Sequence, residues 1–414
     1  MVTLKQYRCT LCNEAQGISY ENNTCPQCGE SGILDVEYDY DLMREALDKT
    51  PLHNNKRYSM FRYQPFLSVD IQKHSHVLHV GWTPLYHAKR LGKHLGLNHL
   101  HIKDEGVNPS GSLKDRASAI AVLQALEKGV KTIACSSTGN AASSLAANAA
   151  RAGLRTVIFV PKRVPKGKLV QLMMYGAYVI RVEGDYKAAY NLSKEAIHRY
   201  GWHNRNAAIN PHLVEGKKTV MLEIAEQCNF KMPEWLVVSI GDGCTVGGIY
   251  KALFDLKSVG MIDTMPKILG VQASGCAPFH QAFTTNKPLV ETDESTLADS
   301  IAVGIPRNPV KGLRAITKTL GTTITVDDAA ILSAAKTMAS LEGVFAEPAA
   351  AASLAGLESA IHQGIIKQHD RVILISTGNG LKDPDNARKA SGDPIELSDD
   401  LNALHDYLKD KGVV

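Results

Sequence analysis

From residue 99 onward the chain alternates short runs rich in valine and isoleucine with longer runs of helical period. Runs such as "KTIACSS", "RTVIFVP" and "AYVIRVEG" predict strands, and stretches between them, such as "NAASSLAANAARAG", predict helices. The alternation returns after residue 234 with "EWLVVSIGDG", "KILGVQASG" and "RVILISTGNG". Short apolar strands joined by helices are typical of βαβ units, so the sequence predicts an α/β protein with a mostly parallel sheet.

Two other segments depart from this rhythm. "SMFRYQPFLSVD", which begins at residue 59, predicts an apolar segment that packs on the main body. Near the carboxyl end, four leucines on one helical face predict a terminal helix docked on the body rather than a helix that binds a partner: Leu397, Leu401, Leu404 and Leu408. Ligands of open α/β sheets bind beyond the carboxyl ends of the strands, so the turns after strands are where chemistry is expected.

Composition excludes several classes of protein. The 414 residues are 44% hydrophobic and 21% charged, which is enough for two domains and a small third one. The net charge of +4 comes from 46 basic and 42 acidic residues spread along the chain, which argues against nucleic-acid or membrane binding. The sequence has no run of 18 apolar residues and no signal-peptide core, so we expect a soluble, cytoplasmic protein.

Half of the eight cysteines lie within 20 residues near the amino terminus. Cys9, Cys12, Cys25 and Cys28 form two C-x2-C pairs that are twelve residues apart, and each pair can bring two thiolates to one tetrahedral ion. The spacing predicts a structural zinc ribbon over residues 1–40, with four reduced surface thiols as the alternative. The acidic residues of this unit outnumber its basic ones, which argues against contact with nucleic acid.

Two turns, taken together, suggest a bound cofactor. "NPSGSLKDRASA" places Lys114 between a Gly-Ser turn and an alanine-rich helix, and "GDGCTVGG" follows a strand and opens another helix. Glycines let the backbone approach a ligand, and amides at a helix start bind anions. The second turn is neither a P-loop nor a dinucleotide fingerprint. A lysine with a phosphate cradle indicates pyridoxal phosphate held as a Schiff base on Lys114; a solvated lysine and tight packing are the alternatives.

The order of the motifs carries a resemblance to a known family. "GWTPLYHAKRLG", "KDEGVNPSGSLKDR", "SSTGN", a glycine-rich loop, "EPAAAASLAGL" and "STGNGLKDPD" follow one another between about residues 81 and 385. In this order they resemble threonine synthases and the wider group of fold-type II pyridoxal-phosphate enzymes, which are similar to the tryptophan synthase β subunit. The resemblance implies two open, mostly parallel sheets and a homodimer. It also implies a large domain over 41–119 and 206–414 and a small inserted α/β domain over 120–205.

The resemblance also implies a role for each matched residue. Lys114 should carry the cofactor and move the α-proton, Asn140 should hydrogen-bond the phenolic oxygen, and Thr377 the pyridine nitrogen. A neutral hydroxyl does not enforce a protonated ring, which suits elimination over transamination. Ser137, Thr138 and Asn140 should line the pocket for the substrate carboxylate. The cofactor phosphate should be held by the glycine-rich loop: Gly241, Asp242, Gly243, Cys244 and Thr245.

Departures from the family pattern concern mainly the substrate. Where threonine synthases carry asparagine, serine and arginine that grip the phosphate of O-phosphohomoserine, this chain has Ala207, Ala208 and Leu213. A leucine cannot replace a bidentate guanidinium. Three nearby basic residues could compensate, although solvated surface is the favoured interpretation of them: His212, Lys217 and Lys218.

Two further departures lie closer to the cofactor. Ala141 stands where the family commonly has a threonine, so one substrate hydrogen bond would be lost. Asp242 stands in a loop where asparagines and glycines are usual. An acid beside a phosphate is unfavourable unless it faces away or accepts backbone N–H bonds.

The residues and the resemblance together predict a lyase that eliminates or replaces a β- or γ-substituent of a small L-amino acid. The closest named activity converts O-phosphohomoserine and water to threonine and phosphate. The alternative is a dehydratase or ammonia-lyase that releases a 2-oxo acid, since "TLADSIAVGIPRNP" fits either branch. A non-catalytic binding module is disfavoured because the lysine and its cofactor partners are all present. With three phosphate ligands missing, we expect O-phosphohomoserine to be a poor substrate or to be held by a rearranged set of residues.

Overall fold

The computed structural model of the chain describes residues 3–71, 76–162, 166–206 and 209–414. In chain order the strands are β1 (Leu4–Cys9), β2 (Ala15–Gln16), β3 (Leu34–Tyr38), β4 (Leu85–His87), β5 (His99–Asp104), β6 (Thr132–Ser136), β7 (Arg155–Pro161), β8 (Tyr178–Val182), β9 (His203–Asn204), β10 (Trp235–Ser239), β11 (Lys267–Ala273), β12 (Thr322–Val326) and β13 (Arg371–Ser376).

The α-helices, in the same order, are α1 (Tyr40–Lys49), α2 (Lys89–Leu95), α3 (Lys114–Glu127), α4 (Asn140–Arg151), α5 (Lys166–Met174), α6 (Tyr186–Tyr200), α7 (His212–Gln227), α8 (Cys244–Ser258), α9 (Pro278–Thr285), α10 (Pro309–Lys318), α11 (Asp328–Glu342), α12 (Pro348–His362), α13 (Pro384–Ser391) and α14 (Leu401–Asp410). Within the described ranges, none of the helices has the length and apolar character needed to cross a bilayer. Association of two copies and the cellular location stay predictions.

Two separate sheets form the body of the molecule. The larger has six strands in the order β12-β11-β10-β13-β5-β4, and every neighbouring pair is parallel except the antiparallel β4–β5 edge. The smaller has four parallel strands in the order β8-β7-β6-β9. The predicted α/β fold with mostly parallel sheets is therefore confirmed, whereas the residue bounds of the domains stay a prediction.

The central strands are continuous apolar runs because helices cover both faces of each sheet. Strands β6 and β10 are buried along their whole length. On one face of the six-stranded sheet, side chains of α7, α8 and α10 form a core with β10 and β13. On the other face α2, α11 and α12 do the same. Strands buried on both faces lose the polar alternation of half-exposed strands, which explains their Val- and Ile-rich sequences.

The amino-terminal unit shares a core with the large sheet. Its strands pair antiparallel in the order β2-β1-β3, and side chains of β1 and β3 pack with Val220 and Ile224 of α7. Tyr38 Oη donates to Glu215 of α7 at 2.7 Å, and Lys311 Nζ of α10 donates to the Leu34 carbonyl at 2.7 Å. The unit is therefore anchored to the helices that flank the large sheet.

One of the two segments outside the alternation is confirmed and the other is corrected. Residues Met60–Phe66 form a 3-10 helix whose Met60 and Phe61 pack against Ile120 of α3, as the apolar segment at residue 59 predicts. The predicted docking of the terminal helix is wrong, since α14 contains no buried residue and Leu401 is 77% exposed. A leucine stripe indicates an apolar face but does not determine whether the same chain covers it.

A buried ion network fixes the helix that begins at Lys114. Arg116, two residues further on, donates to both carboxylate oxygens of Glu105 at 2.6 and 2.7 Å and to Glu223 of α7 at 2.6 Å. All three side chains are completely buried. The network therefore holds the first turn of α3 against α7.

Replacing Arg116 with methionine is expected to destabilise the protein strongly. The change would leave the carboxylates of Glu105 and Glu223 buried without their main cation, at a cost of about 3–5 kcal/mol. Denaturant unfolding of the variant would measure the loss, with Arg151→Met, at an exposed position, as the matched control. A variant as stable as the control would contradict this account of how α3 is held.

Candidate active site

A cavity of about 160 Å³ lies where the carboxyl ends of strands from both sheets meet. Its wall includes Lys114 at the start of α3, Ser136 and Ser137 at the end of β6, residues 240–246 after β10, and Thr377 after β13. The carboxyl edge of parallel strands is the usual binding site of open α/β sheets. The structure thus brings the chemically marked turns of the sequence together.

Lys114 is the first residue of α3 and faces this cavity. The turn before it is positioned by Gly111, whose φ of +84° lies in the left-handed region, and by a hydrogen bond from the Leu113 amide to the Thr377 carbonyl at 2.9 Å. Burial, together with the nearby charge of Lys217, lowers the pKa of the Lys114 amine to about 8. More of the amine is then neutral near pH 7, which is the form that attacks an aldehyde.

The turn after β10 forms an anion cradle at the start of α8. Gly243 has a φ of +82°, and a Cβ there would lie 2.6 Å from the Asn308 carbonyl oxygen and 2.7 Å from the Phe279 ring, so only glycine fits. Helix α8 begins at Cys244 with no side-chain cap, which leaves the amides of its first turn available to a ligand. Cys244 and Thr245 both line the cavity. Uncapped amides next to a lysine of lowered pKa fit a cofactor that carries both a phosphate and an aldehyde.

Asp242 lies in this cradle, and one backbone N–H reaches its carboxylate. Its Oδ1 accepts a long hydrogen bond from the Arg307 amide at 3.4 Å, and its carbonyl accepts one from the Asn308 amide at 3.0 Å. The acid is thus engaged with the 307–308 backbone. This single long bond meets only part of the condition under which an acid is tolerated beside a phosphate.

Asn140 begins α4 and is paired with an acid across the cavity. Its Nδ2 donates to both oxygens of Glu347, at 2.8 and 3.0 Å, and both residues line the cavity. Burial raises the pKa of the Glu347 carboxyl to about 7, although the bond from Asn140 opposes the shift. Glu347 therefore changes its protonation state near neutral pH and holds the Asn140 amide in a fixed position.

The Glu347 shift predicts a specific dependence of stability on pH. Since its pKa is raised in the folded protein, Glu347 favours folding at low pH, and this contribution is lost as the pH rises from about 4.5 to about 7. The Glu347→Gln variant cannot ionise there. Relative to this variant, the wild-type free energy of unfolding should fall by up to about 1.4 kcal/mol per pH unit in that window. The same pH series on Glu195→Gln, an exposed control, should parallel wild type; identical slopes in Glu347→Gln and wild type would contradict the assignment.

The turn after β6 contributes only part of the predicted carboxylate site. Ser137 and Ala141 line the cavity beside Asn140. Thr138, also predicted to line it, belongs to the same turn but is not part of the cavity wall. The amino end of α4 has no side-chain cap, so its amides remain available to a carboxylate.

Two of the three positions of the missing phosphate grip, Ala207 and Ala208, lie outside the described residues. The third, Leu213, is 1% exposed and packs with Ala117 and Leu145 in the core beside the small sheet. An arginine at position 213 would have to bury its stem in this apolar cluster. The replacement by leucine therefore makes position 213 part of the core.

The interpretation of His212, Lys217 and Lys218 as solvated surface is wrong, since all three are buried. His212 contacts Tyr7 Oη at 3.1 Å and Ser68 Oγ at 2.7 Å, and burial lowers the pKa of its ring to about 3. Lys218 forms buried ion pairs, including one to Asp255 at 2.7 Å. Of the three, Lys217 alone lines the cavity. The sequence did not reveal this placement, because lysines on a helix are usually exposed.

Sequence reasoning missed two charged residues in the cavity wall. Arg205 follows the short strand β9 and is 2% exposed, and Glu347 precedes α12 and is 5% exposed. Glu347 belongs to the "EPAAAAS" stretch, where an acid before an apolar helix was a usable signal. Arg205 offered a weaker one, because a basic residue at the end of a two-residue strand is usually solvated.

Comparison with known proteins agrees with this site. The family model described as pyridoxal-phosphate dependent enzyme matches residues 77–378. The chain is 37% identical to a threonine synthase of Methanocaldococcus jannaschii over 97% of its own length and 99% of the relative's. It is 36% identical to a threonine synthase of Methanosarcina acetivorans over 93% and 94%. The chain therefore belongs to the pyridoxal-phosphate dependent enzyme family, within the group that these threonine synthases represent.

Solved structures show the same fold at lower identity. Threonine deaminase isoform 2 of Solanum lycopersicum superposes with a TM-score of 0.64 at 19% identity, covering 85% of this chain and 91% of that one. Diaminopropionate ammonia lyase of Escherichia coli superposes with a TM-score of 0.66 at 19% identity, covering 83% and 93%. At these identities the likeness concerns the fold alone.

Proposed function

We propose that this chain binds pyridoxal phosphate through Lys114 and converts O-phosphohomoserine and water to threonine and phosphate. One observation carries the cofactor part: a lysine of lowered pKa faces the uncapped amino end of α8 across one cavity. The activity is supported by relatives named threonine synthase that match almost the whole chain.

Each cofactor-facing residue has a chemical part in this proposal. When bound, the cofactor supplies a conjugated ring that accepts the electron pair released as the α-proton leaves. The Lys114 amine holds the cofactor, takes that proton and later returns it at another carbon. The phosphate would be held by the backbone amides of residues 241–245 and by the Thr245 hydroxyl. The Thr377 hydroxyl meets the ring nitrogen, and Asn140, oriented by Glu347, meets the phenolic oxygen.

The substrate carboxylate belongs, in this proposal, at the amino end of α4. Ser137 supplies a hydroxyl and Asn140 a helix-start amide, and the helix macrodipole favours an anion at this end. Thr138 is left out, because its side chain does not line the cavity. A carboxylate held here would be separated from the cofactor phosphate at the start of α8.

We also propose that the amino-terminal unit holds one structural zinc ion. The Sγ atoms of Cys9, Cys12, Cys25 and Cys28 all lie within 4.8 Å of one another, as four ligands of one tetrahedral ion require. The Leu11 amide donates to Cys9 Sγ at 3.4 Å, an arrangement that stabilises a thiolate. Four sulfur ligands leave no open position, so the zinc would have no catalytic part.

A product assay tests the proposed activity. Cofactor-loaded enzyme would be incubated separately with O-phosphohomoserine, threonine, serine and diaminopropionate, and threonine and 2-oxo acids would be quantified separately. We expect threonine and phosphate in equal amounts from O-phosphohomoserine. A 2-oxo acid from threonine, serine or diaminopropionate, with no threonine from O-phosphohomoserine, would instead establish the dehydratase or ammonia-lyase alternative.

A further inference from the structure

Two buried cations in the cavity wall lack the partners that such groups require. Arg205 donates from Nε to Ser118 Oγ at 3.1 Å, but its Nη2 is buried without a hydrogen-bond partner. Lys217, which is 4% exposed, has no hydrogen bond or ion pair to any residue in the described ranges. Both side chains line the cavity.

Apart from Lys114, the other buried cations of the described chain do not behave in this way. Each of the following forms an ion pair with a carboxylate: Arg62, Lys103, Arg116, Lys218 and Lys311. Removing a charge from water without a partner costs several kcal/mol, so buried cations are normally paired. The exceptions at Arg205 and Lys217 therefore indicate that an anionic ligand completes the pairing.

The position of Lys217 suggests which anion is involved. It lies four residues after Leu213, one turn further along the same face of α7. The same face of α7 therefore places Leu213 in the core beside the small sheet and, one turn later, Lys217 in the cavity wall. Arg205 approaches from the side of the four-stranded sheet, since its amide donates to the Ala134 carbonyl of β6.

The cofactor phosphate already has donors of its own in the uncapped first turn of α8. Because His212 and Lys218 are bonded elsewhere, Arg205 and Lys217 are the basic side chains left for a second dianion. We propose that Arg205 and Lys217 together bind the side-chain phosphate of the amino-acid substrate, in place of the missing grip at positions 207, 208 and 213. This inference rests on the proposed function, because it takes the substrate to be phosphorylated.

The pair would select substrates by the charge of the leaving group. A phosphate would accept charge-assisted hydrogen bonds from both side chains, whereas a neutral hydroxyl would leave the two cations unpaired. A site discriminates strongly against an uncharged ligand when binding that ligand would leave polar groups of the site buried and unpaired. Homoserine is therefore expected to bind far more weakly than O-phosphohomoserine.

The test uses cofactor-loaded wild type, Arg205→Gln and Lys217→Gln, with Arg155→Gln as a control at an exposed position of the neighbouring strand β7. Calorimetry would give the dissociation constant of inorganic phosphate, steady-state kinetics the KM and kcat for O-phosphohomoserine, and absorbance the cofactor occupancy. Each glutamine is expected to raise the phosphate dissociation constant and KM by about tenfold to a hundredfold, with much smaller effects on kcat and occupancy. The charge-retaining variants Arg205→Lys and Lys217→Arg should bind phosphate more tightly than the glutamine variants. If a glutamine variant does not fold, the charge-retaining variant at the same position should still fold.

The outcomes separate the two possible sources of phosphate. A loss of cofactor affinity that parallels the loss of phosphate binding would mean that the pair binds the cofactor phosphate, and it would overturn the inference. Unchanged KM and phosphate affinity in both glutamine variants would also overturn it. Phosphate binding does not depend on which product the enzyme releases. Phosphate binding to the wild-type holoenzyme that requires both residues would therefore support the inference even if the product assay yields no threonine.

Discussion

Replacing Lys114 with alanine should abolish the visible absorbance of a lysine-bound cofactor and lower turnover on the order of 10³-fold or more. The reason is that the same amine holds the cofactor and carries the proton in the proposed reaction. The low pKa of this amine, about 8, comes from burial and from Lys217. Absorbance spectra and steady-state rates of the purified variant would measure both effects.

The matched control is Lys128→Ala, an exposed lysine just beyond the carboxyl end of the same helix. It should keep the absorbance and the rate of wild type. Lys114→Ala should unfold at a denaturant concentration close to that of cofactor-free wild type, because a partly neutral buried amine contributes little stability. If Lys114→Ala kept both the absorbance and the activity, another residue would hold the cofactor.

Loss of the proposed amino-terminal zinc ion should have the largest effect on stability. Replacing Cys25 with serine removes one of four sulfur ligands from a unit whose strands share a core with α7 and α8. Structural zinc contributes directly to folding, so we expect the free energy of unfolding to fall by more than about 4 kcal/mol. Denaturant unfolding and metal analysis of the two proteins would measure the change.

The control for this variant is Cys228→Ser, a half-buried cysteine outside the cluster. It should keep about one zinc per chain, whereas Cys25→Ser should keep none. The wild-type protein should lose stability to the same extent when a chelator removes the metal. Wild-type protein without zinc, with four thiols that react readily with an alkylating reagent, would show that the cysteines are simply reduced thiols.

The alternation of apolar and polar residues predicted most of the fold because burial on both faces leaves a clear signal. Strand β7 was predicted at its observed bounds, Arg155–Pro161, and α8 begins at Cys244, within the glycine-rich turn that was predicted to open a helix. The docking of α14 could not be read from its leucines. An amphipathic helix gains stability when its apolar face is buried, but which surface covers that face depends on tertiary packing.

The site was predicted in part, for a related reason. Lys114 and the glycine turn carry local signals, a lysine after a tight turn and glycines at a helix start. Arg205 and Lys217 do not, since only the packing of β9 and α7 decides that these cations face the cavity rather than solvent. Thr138 was placed in the site by the resemblance, and the cavity wall includes its neighbours Ser137 and Asn140 but not Thr138 itself.

If Lys114 holds pyridoxal phosphate, borohydride should fix the cofactor permanently to that lysine. Wild-type protein would be reduced with borohydride, digested and analysed by mass spectrometry, so that the lysine joined to the cofactor keeps a permanent pyridoxyl group. We expect the pyridoxyl group on the peptide that contains Lys114, in close to one copy per chain. A pyridoxyl group on a different lysine, or none on protein that shows the visible absorbance, would contradict this assignment.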